Sequence, residues 1–307
     1  MTLGDMYGVQ CRPKEDDMHG KTVMVTGGTA GIGRETARGL ALLGARVIIV
    51  GRNPDRAKDA AAALTAETGA EVTSLTADLA RLDGLRGLAS RFADEHDRLD
   101  VLVNNAGGMS PERRLTGDGV EFTFAVNVLA PYALTRLLLP RLRAADAARV
   151  VNLTGGLPDG TIDPANLQAE KRFLGWTFAH YNQAKTALMA MSHRFAARLE
   201  QEEITVNVAY PGHAYTPGNR ATPVRAFPYL FRPVAPLIRL VGPLLLSDRA
   251  KSARSSLYLA SSPEVQGRTG LYVDARARPA TWPDGALDPR AQDAVWDLCE
   301  RLTALTA

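Results

Sequence analysis

The sequence predicts an α/β fold in a single domain, with a doubly wound parallel sheet flanked by helices on both faces. Three observations carry that prediction. Short apolar runs of strand type alternate with stretches of helical period from Lys21 to Val273, and strands joined by helices pair in parallel. The first strand runs through a glycine-rich turn straight into a helix. The 307 residues, 46% of them hydrophobic, suffice for one large core, and no internal repeat or linker divides them.

Lys21 to Thr26 is the first buried run, and Gly27-Gly28-Thr29-Ala30-Gly31-Ile32-Gly33 turns it into a helical pattern through Leu43. Arg46 to Val50 reads as a second strand, Pro54 to Thr68 as an alanine-rich helix, and Val72 to Thr76 as a third strand. The next helix carries Leu85, Leu88 and Phe92 at core spacing, ahead of a fourth strand at Leu99 to Val103. A long helix is expected from about Val120 to Arg143, then the strand Arg149 to Leu153, a helix bearing Tyr181 and Lys185, and the strand Thr205 to Ala209. Ser252 to Ala260 supplies a further helix, Leu271 to Val273 an edge strand, and Gln292 to Leu305 a terminal amphipathic helix. The domain is expected over residues 20–275, behind a flexible arm (1–19) and ahead of a C-terminal extension (276–307).

The formal charge of +3 is small for this length, and the basic residues are scattered, so no nucleic-acid footprint is present. Cys11 and Cys299 have neither metal-ligand nor disulfide-framework spacing, which fits a reducing cytoplasm and no metal. Met1 to Glu15 is polar and lacks the apolar core of a secretory signal. The greasiest stretch, Ala226 to Leu246, is interrupted by Arg232, Arg239 and four prolines, so it is no ordinary membrane-spanning helix.

Chemistry enters at the glycine turn. A helix N-terminus offers unpaired backbone N–H groups and a positive dipole end, and glycines let a pyrophosphate approach closely. Gly27, Gly31 and Gly33, with Thr29 and Ile32 between them, form such a cradle. At the end of the second strand, where an acid would bind the ribose of NAD, the chain reads Val50-Gly51-Arg52-Asn53. A guanidinium there suits a 2′-phosphate, so Arg52 and Asn53 point to NADP(H). Downstream, Tyr181 and Lys185 are four residues apart and share a helix face. A lysine one turn away, together with an oxidised nicotinamide, is expected to favour the phenolate and make Tyr181 a usable acid.

With Thr26 to Gly33, Asn104-Asn105-Ala106-Gly107, Asn127 and Tyr181-x-x-x-Lys185 in this order, the chain resembles the short-chain dehydrogenase/reductase family over roughly Gly20 to Val273. Asn166 to Lys171, Arg194 to Leu199 and Pro211-Gly212 look most like its retinol-dehydrogenase-like branch. The resemblance implies a Rossmann-type sheet that binds NADP(H) and exchanges a hydride with a carbonyl or carbinol carbon. It implies cofactor contacts at Asn105, Ala106 and Gly107, at Asp78 and Leu79 beside the adenine, and at Pro211, Gly212 and Thr216 beside the nicotinamide. It makes Tyr181 the general acid, Lys185 the residue that holds the ribose, and Asn127 the anchor of a water in a proton relay. Homodimers or homotetramers through the long helices are usual for such relatives.

One departure stands out. The family's catalytic serine ends the fifth strand as the second residue of a Ser-Ser pair, and here that stretch is Asn152-Leu153-Thr154-Gly155-Gly156. Gly155 takes the serine's place, or, with a shift of one, Thr154 does. Gly155 and Gly156 then border the substrate. Three readings follow: an NADPH-dependent ketoreductase or alcohol dehydrogenase with Thr154, a substrate hydroxyl or a water replacing the serine; a non-redox enzyme such as a cyclase, dehydratase or isomerase; and a silent NADP-binding sensor. The stretch from His213 to Leu246, with Phe227, Tyr229, Phe231 and Leu237, is expected to form an apolar lid, and so a hydrophobic substrate is predicted, with His213 touching it. His180 and the three tryptophans, Trp176, Trp282 and Trp296, read as packing or surface residues.

Overall fold

The computed structural model describes residues 18–156, 160–173, 178–212 and 249–305. The expected lid, His213, Thr216, Trp176, Cys11 and nearly all of the expected arm lie outside them. The last residues of that arm belong to the body: Met18 is buried, and its N–H donates to Leu43 O (3.0 Å).

The chain runs β1 (Thr22–Thr26), α1 (Gly31–Leu42), β2 (Arg46–Gly51), α2 (Pro54–Thr68), β3 (Val72–Thr76), α3 (Leu82–Glu95), β4 (Val101–Asn104), α4 (Phe122–Phe124), a π turn (Ala125–Leu129), α5 (Ala130–Leu137), α6 (Leu139–Arg143), β5 (Arg149–Leu153), α7 (Ala179–Leu199), β6 (Thr205–Ala209), α8 (Arg249–Ser261), β7 (Tyr272–Val273), α9 (Asp284–Leu287) and α10 (Pro289–Thr303). The sheet order is β3-β2-β1-β4-β5-β6-β7 with every pairing parallel. Strands buried on both faces explain the continuous apolar runs. Met24, Ile48, Leu102 and Val150 face Phe92, Phe124, Leu188 and Phe195 on one side. Val23, Val25, Ile49 and Val151 face Leu40, Leu64 and Leu257 on the other.

The expected single helix over 120–143 is broken. Pro131 lacks the N–H needed to close the turn ahead of α5, where Ala125–Leu129 widen into a π turn. Pro140 cannot bond the carbonyl of Arg136, and the chain kinks at Leu138 (φ −94°, ψ 0°). In the C-terminal extension, α10 lies on α5 and α7. Trp296 is 1% exposed and stacks edge-on against Tyr132 (5.1 Å) and Phe195 (4.8 Å), and Arg86 Nη2 donates to Thr303 O (2.9 Å).

Candidate active site

The carboxyl ends of β1, β2, β4, β5 and β6 open on one edge of the sheet, where ligands bind in doubly wound folds. On one half of that edge, Thr26 ties the glycine turn to the end of β4. Its Oγ1 accepts from Asn105 N and Ala106 N (both 3.0 Å), and Asn105 Nδ2 donates to Thr26 O (2.8 Å). The packing leaves no room for a side chain at residue 33: a Cβ on Gly33 would lie 2.3 Å from Asn105 Nδ2 and 2.4 Å from Gly27 O. Ala30, at the start of α1, gives no side-chain cap, so the first backbone N–H groups around Gly31, Ile32 and Gly33 face an anion-accepting concavity. Thr29 packs against Gly51 at the end of β2, bringing exposed Arg52 beside the turn. Asn53 is engaged as the N-cap of α2, accepting from Arg56 N (2.9 Å). Asp78 Oδ1 accepts from Ala80 N (3.1 Å), with Leu79 half-buried beyond it. These residues fit a phosphorylated dinucleotide, with a cradle no side chain fills and a cation at its rim.

On the other half, α7 carries Tyr181 and Lys185 under the ends of β5 and β6. Lys185 is 4% exposed, and its Nζ donates to Leu153 O (3.0 Å). It stands 6.0 Å from the centre of the Tyr181 ring. Asn127, on the π turn, is fully buried; its Nδ2 donates to Gly108 O (2.5 Å) and Thr123 O (2.7 Å), leaving Oδ1 unpartnered. Glycine at 107 keeps the space between Asn127 and Lys185 clear, since a Cβ there would lie 2.7 Å from Oδ1 and 3.2 Å from Nζ.

At the end of β5, a Cβ on Gly155 would lie 3.0 Å from Tyr181 Oη and 3.9 Å from Lys185 Cε. Thr154 is buried, and its N–H donates to Ala209 O (3.0 Å). Gly156, with φ +74°, abuts Asn182. Pro211 and Gly212 follow β6, with Pro211 buried.

Burial governs the electrostatics of both groups. Burial pushes the Tyr181 phenol up to about 12, with Tyr210 adding to the rise, and pushes the Lys185 ammonium down to about 8. Lys185 Nζ donates to Leu153 O, and desolvation disfavours the charged form of both groups.

Two further side chains join the site. Glu121 is fully buried, and its Oε2 accepts from Phe124 N (2.8 Å) while lying 2.7 Å from His180 Nε2. Burial pushes this carboxyl up, but the hydrogen bond and charge of His180, with the Thr123 and Phe124 amides, outweigh it and leave it below the ordinary carboxylate value. In sequence, Glu121 has no motif to mark it and lies 59 positions from its partner. Among the described residues no cluster of metal-ligating side chains occurs and no helix is long and apolar enough to cross a membrane.

This fold and this edge define a dinucleotide-dependent oxidoreductase scaffold: residues 21–162 match the family model of short chain dehydrogenases, and the chain belongs to the short-chain dehydrogenase/reductase family. Within it the chain falls in the retinol-dehydrogenase-like branch, being 36% identical to human retinol dehydrogenase 14 over 94% of this chain and 88% of that protein. It is also 33% identical to Streptomyces DnrU, whose name assigns it provisionally as a daunorubicin C-13 ketoreductase, over 86% of each chain. Among solved structures it resembles a Pseudomonas aeruginosa RhlG/NADP active-site complex, with a TM-score of 0.62 and 28% identity over 85% of this chain and 96% of that one.

Proposed function

We propose that the protein is an NADPH-dependent ketoreductase or alcohol dehydrogenase acting on a hydrophobic small molecule, with Tyr181 as its proton donor. The observation that carries this reading is the convergence of Tyr181 Oη, the buried Lys185 ammonium and the unpartnered Asn127 Oδ1 at the ends of β4 and β5. Arg52 supports the phosphorylated cofactor, as does the NADP in the RhlG complex. When bound, the dinucleotide supplies or takes the hydride.

Gly27, Thr29, Gly31, Ile32 and Gly33 would hold its pyrophosphate, Arg52 and Asn53 its 2′-phosphate end, Asp78 and Leu79 its adenine, and Asn105, Ala106 and Gly107 its ribose. Pro211, Gly212 and Thr216 would lie along the nicotinamide. In the reductive direction Tyr181 Oη gives its proton to the nascent alkoxide. Lys185, charged below about pH 8, supports the resulting phenolate and orients the ribose, and Asn127 Oδ1 accepts from a water that refills the proton. Gly155 stands where the family carries its serine, so the substrate oxygen loses one hydrogen-bond donor; Thr154, the adjoining hydroxyl, is the residue we assign to that task. Gly155, Gly156 and His213 would border the substrate. The names of the two relatives refer to retinol and to the C-13 ketone of daunorubicin; the apolar sequence of the 213–247 stretch is what favours a hydrophobic substrate.

The test is oxidation of NADPH in the presence of apolar ketones and aldehydes, with NADH as the comparison and Tyr181→Phe as the blank. Equal use of NADH would remove the assignment to Arg52, and turnover by Tyr181→Phe would remove the proton donor. The glycine at 155 also favours a second reading, a reaction without net redox change that uses Tyr181 as acid or base. A product of unchanged oxidation state would establish it. Assembly through the long helices would have to displace α10 from α5 and α7, so a dimer or tetramer would use another face.

A further inference from the structure

The first turn of α7 holds Tyr181, yet residue 178 ahead of it gives no side-chain cap. His180, 9% exposed, ties that turn to the body through its Nε2, which lies 2.7 Å from Glu121 Oε2, alongside Gln183, whose Nε2 donates to Asn166 O (3.1 Å) and whose Oε1 accepts from Asp163 N (3.0 Å). The His180 ring also meets Phe173 edge-on at 5.6 Å.

The same oxygen does a second task. Glu121 is the N-cap of α4, and Oε2 accepts from Phe124 N (2.8 Å). That helix runs on into the π turn carrying Asn127, whose amide in turn donates to Thr123 O (2.7 Å) within it. The backbone N–H of Glu121 donates to Gln168 Oε1 (3.1 Å), which fixes the carboxylate's own base. Single-atom sharing of this kind is costly to leave half-made: the carboxylate is fully buried, and Oε1 has no partner. A buried charge persists only where its partners hold it firmly.

We propose that Glu121 and His180 are positioning residues that set the distance between the two catalytic helices, one atom locking the turn of Tyr181 to the turn of Asn127. The proposal rests on the oxidoreductase reading above for its kinetic consequence, although the clamp itself is independent of it. A misplacement of about 1 Å between reacting groups is worth about a hundredfold in rate. Loss of the clamp should therefore lower kcat while leaving KM for the dinucleotide nearly unchanged, because the phosphate cradle lies on the other half of the edge.

Removing His180 alone strands a buried carboxylate, so the informative variant is the double substitution Glu121→Gln, His180→Phe. The glutamine oxygen still caps Phe124 N, and the phenyl ring still packs on Phe173, but the tie between the helices is gone. Three measurements are made on the full chain: kcat and KM with NADPH and an apolar ketone, NADPH affinity by fluorescence, and hydrogen exchange of the 179–186 segment without cofactor. The expected result is a fall in kcat of about ten- to a hundredfold, NADPH affinity within about twofold of the parent, and faster exchange confined to 179–186. His180→Gln, whose amide reaches the same oxygen, should recover most of kcat. A double variant with parental kcat and parental exchange overturns the proposal, and so does a fall in kcat matched by an equal loss of NADPH affinity. If the parent protein itself turns over no carbonyl or alcohol, the oxidoreductase reading fails, and exchange alone decides: unchanged protection of 179–186 then overturns the clamp.

Discussion

Installing a serine at 155 is the sharpest test of how this site manages with glycine there. The backbone permits it, since Gly155 is absent from the residues with positive φ. The added Cβ would lie 3.0 Å from Tyr181 Oη, close enough to require the phenol to give by a few tenths of an ångström, a cost of about 1 kcal/mol on the scale of modest overpacking. Against this, one preorganised donor at a developing oxyanion is worth about 2.7–4 kcal/mol. In a Thr154→Val background, where the donor assigned above is gone, the net gain is about 2 kcal/mol, or roughly thirtyfold in kcat. Gly155→Ala in the same background carries the Cβ without the hydroxyl and should be about fivefold slower than Thr154→Val alone, from the steric cost alone. The assay is steady-state NADPH oxidation with one apolar ketone across Thr154→Val and the two double variants. Serine no faster than alanine would refute the reasoning, since a hydroxyl at 155 would then not reach the substrate oxygen.

Other outcomes follow from the same geometry. Thr154→Val should lower kcat about tenfold or more if its hydroxyl stands in for the missing serine, and an unchanged kcat removes it from the mechanism. Because the buried Lys185 is protonated only below about pH 8, kcat/KM for the dinucleotide should be level at lower pH and fall as pH rises through that value; with Tyr181 held neutral up to about 12, no second limb should intervene below pH 10. A profile level through pH 9 contradicts the lysine assignment. Arg52→Ala should weaken NADPH binding about tenfold and leave NADH binding unchanged, as expected for one charge-assisted contact, and equal effects on both would point elsewhere. Trp296→Ala should cost about 3–5 kcal/mol of stability by opening a cavity between α10, Tyr132 and Phe195, measured by urea unfolding; a loss below 1 kcal/mol would mean that α10 is not firmly seated.

Where local rules dominate, the sequence is nearly sufficient. Pro54–Thr68 falls where its signals place it, because Asn53 caps its start, Pro54 occupies the first turn and Gly69 ends it at φ 71°. Arg149–Leu153 and Thr205–Ala209 are strands whose apolar runs have no competing period. The π turn and the kink at Leu138 are written in Pro131 and Pro140 respectively, but the surrounding apolar periodicity hides them. At the site, spacing puts Tyr181 and Lys185 on one face but says nothing of how deeply they are buried, and that depth is what raises the phenol and lowers the ammonium. The Glu121–His180 contact spans 59 residues and leaves no local trace. Likewise, the amphipathic pattern of α10 announces that it covers something, whereas the identity of the covered face, α5 and α7, comes only from the tertiary packing.

The central claim is that Tyr181 protonates an oxygen while reduced nicotinamide delivers hydride to the carbon beside it. Incubating the protein with NADPH carrying deuterium on one or the other face of nicotinamide C4, together with an apolar ketone, tests it directly. The account predicts that one label alone appears on the carbinol carbon of the product, and that Tyr181→Phe abolishes the transfer while still binding NADPH. A product of unchanged oxidation state, or label that never leaves the cofactor, would contradict it.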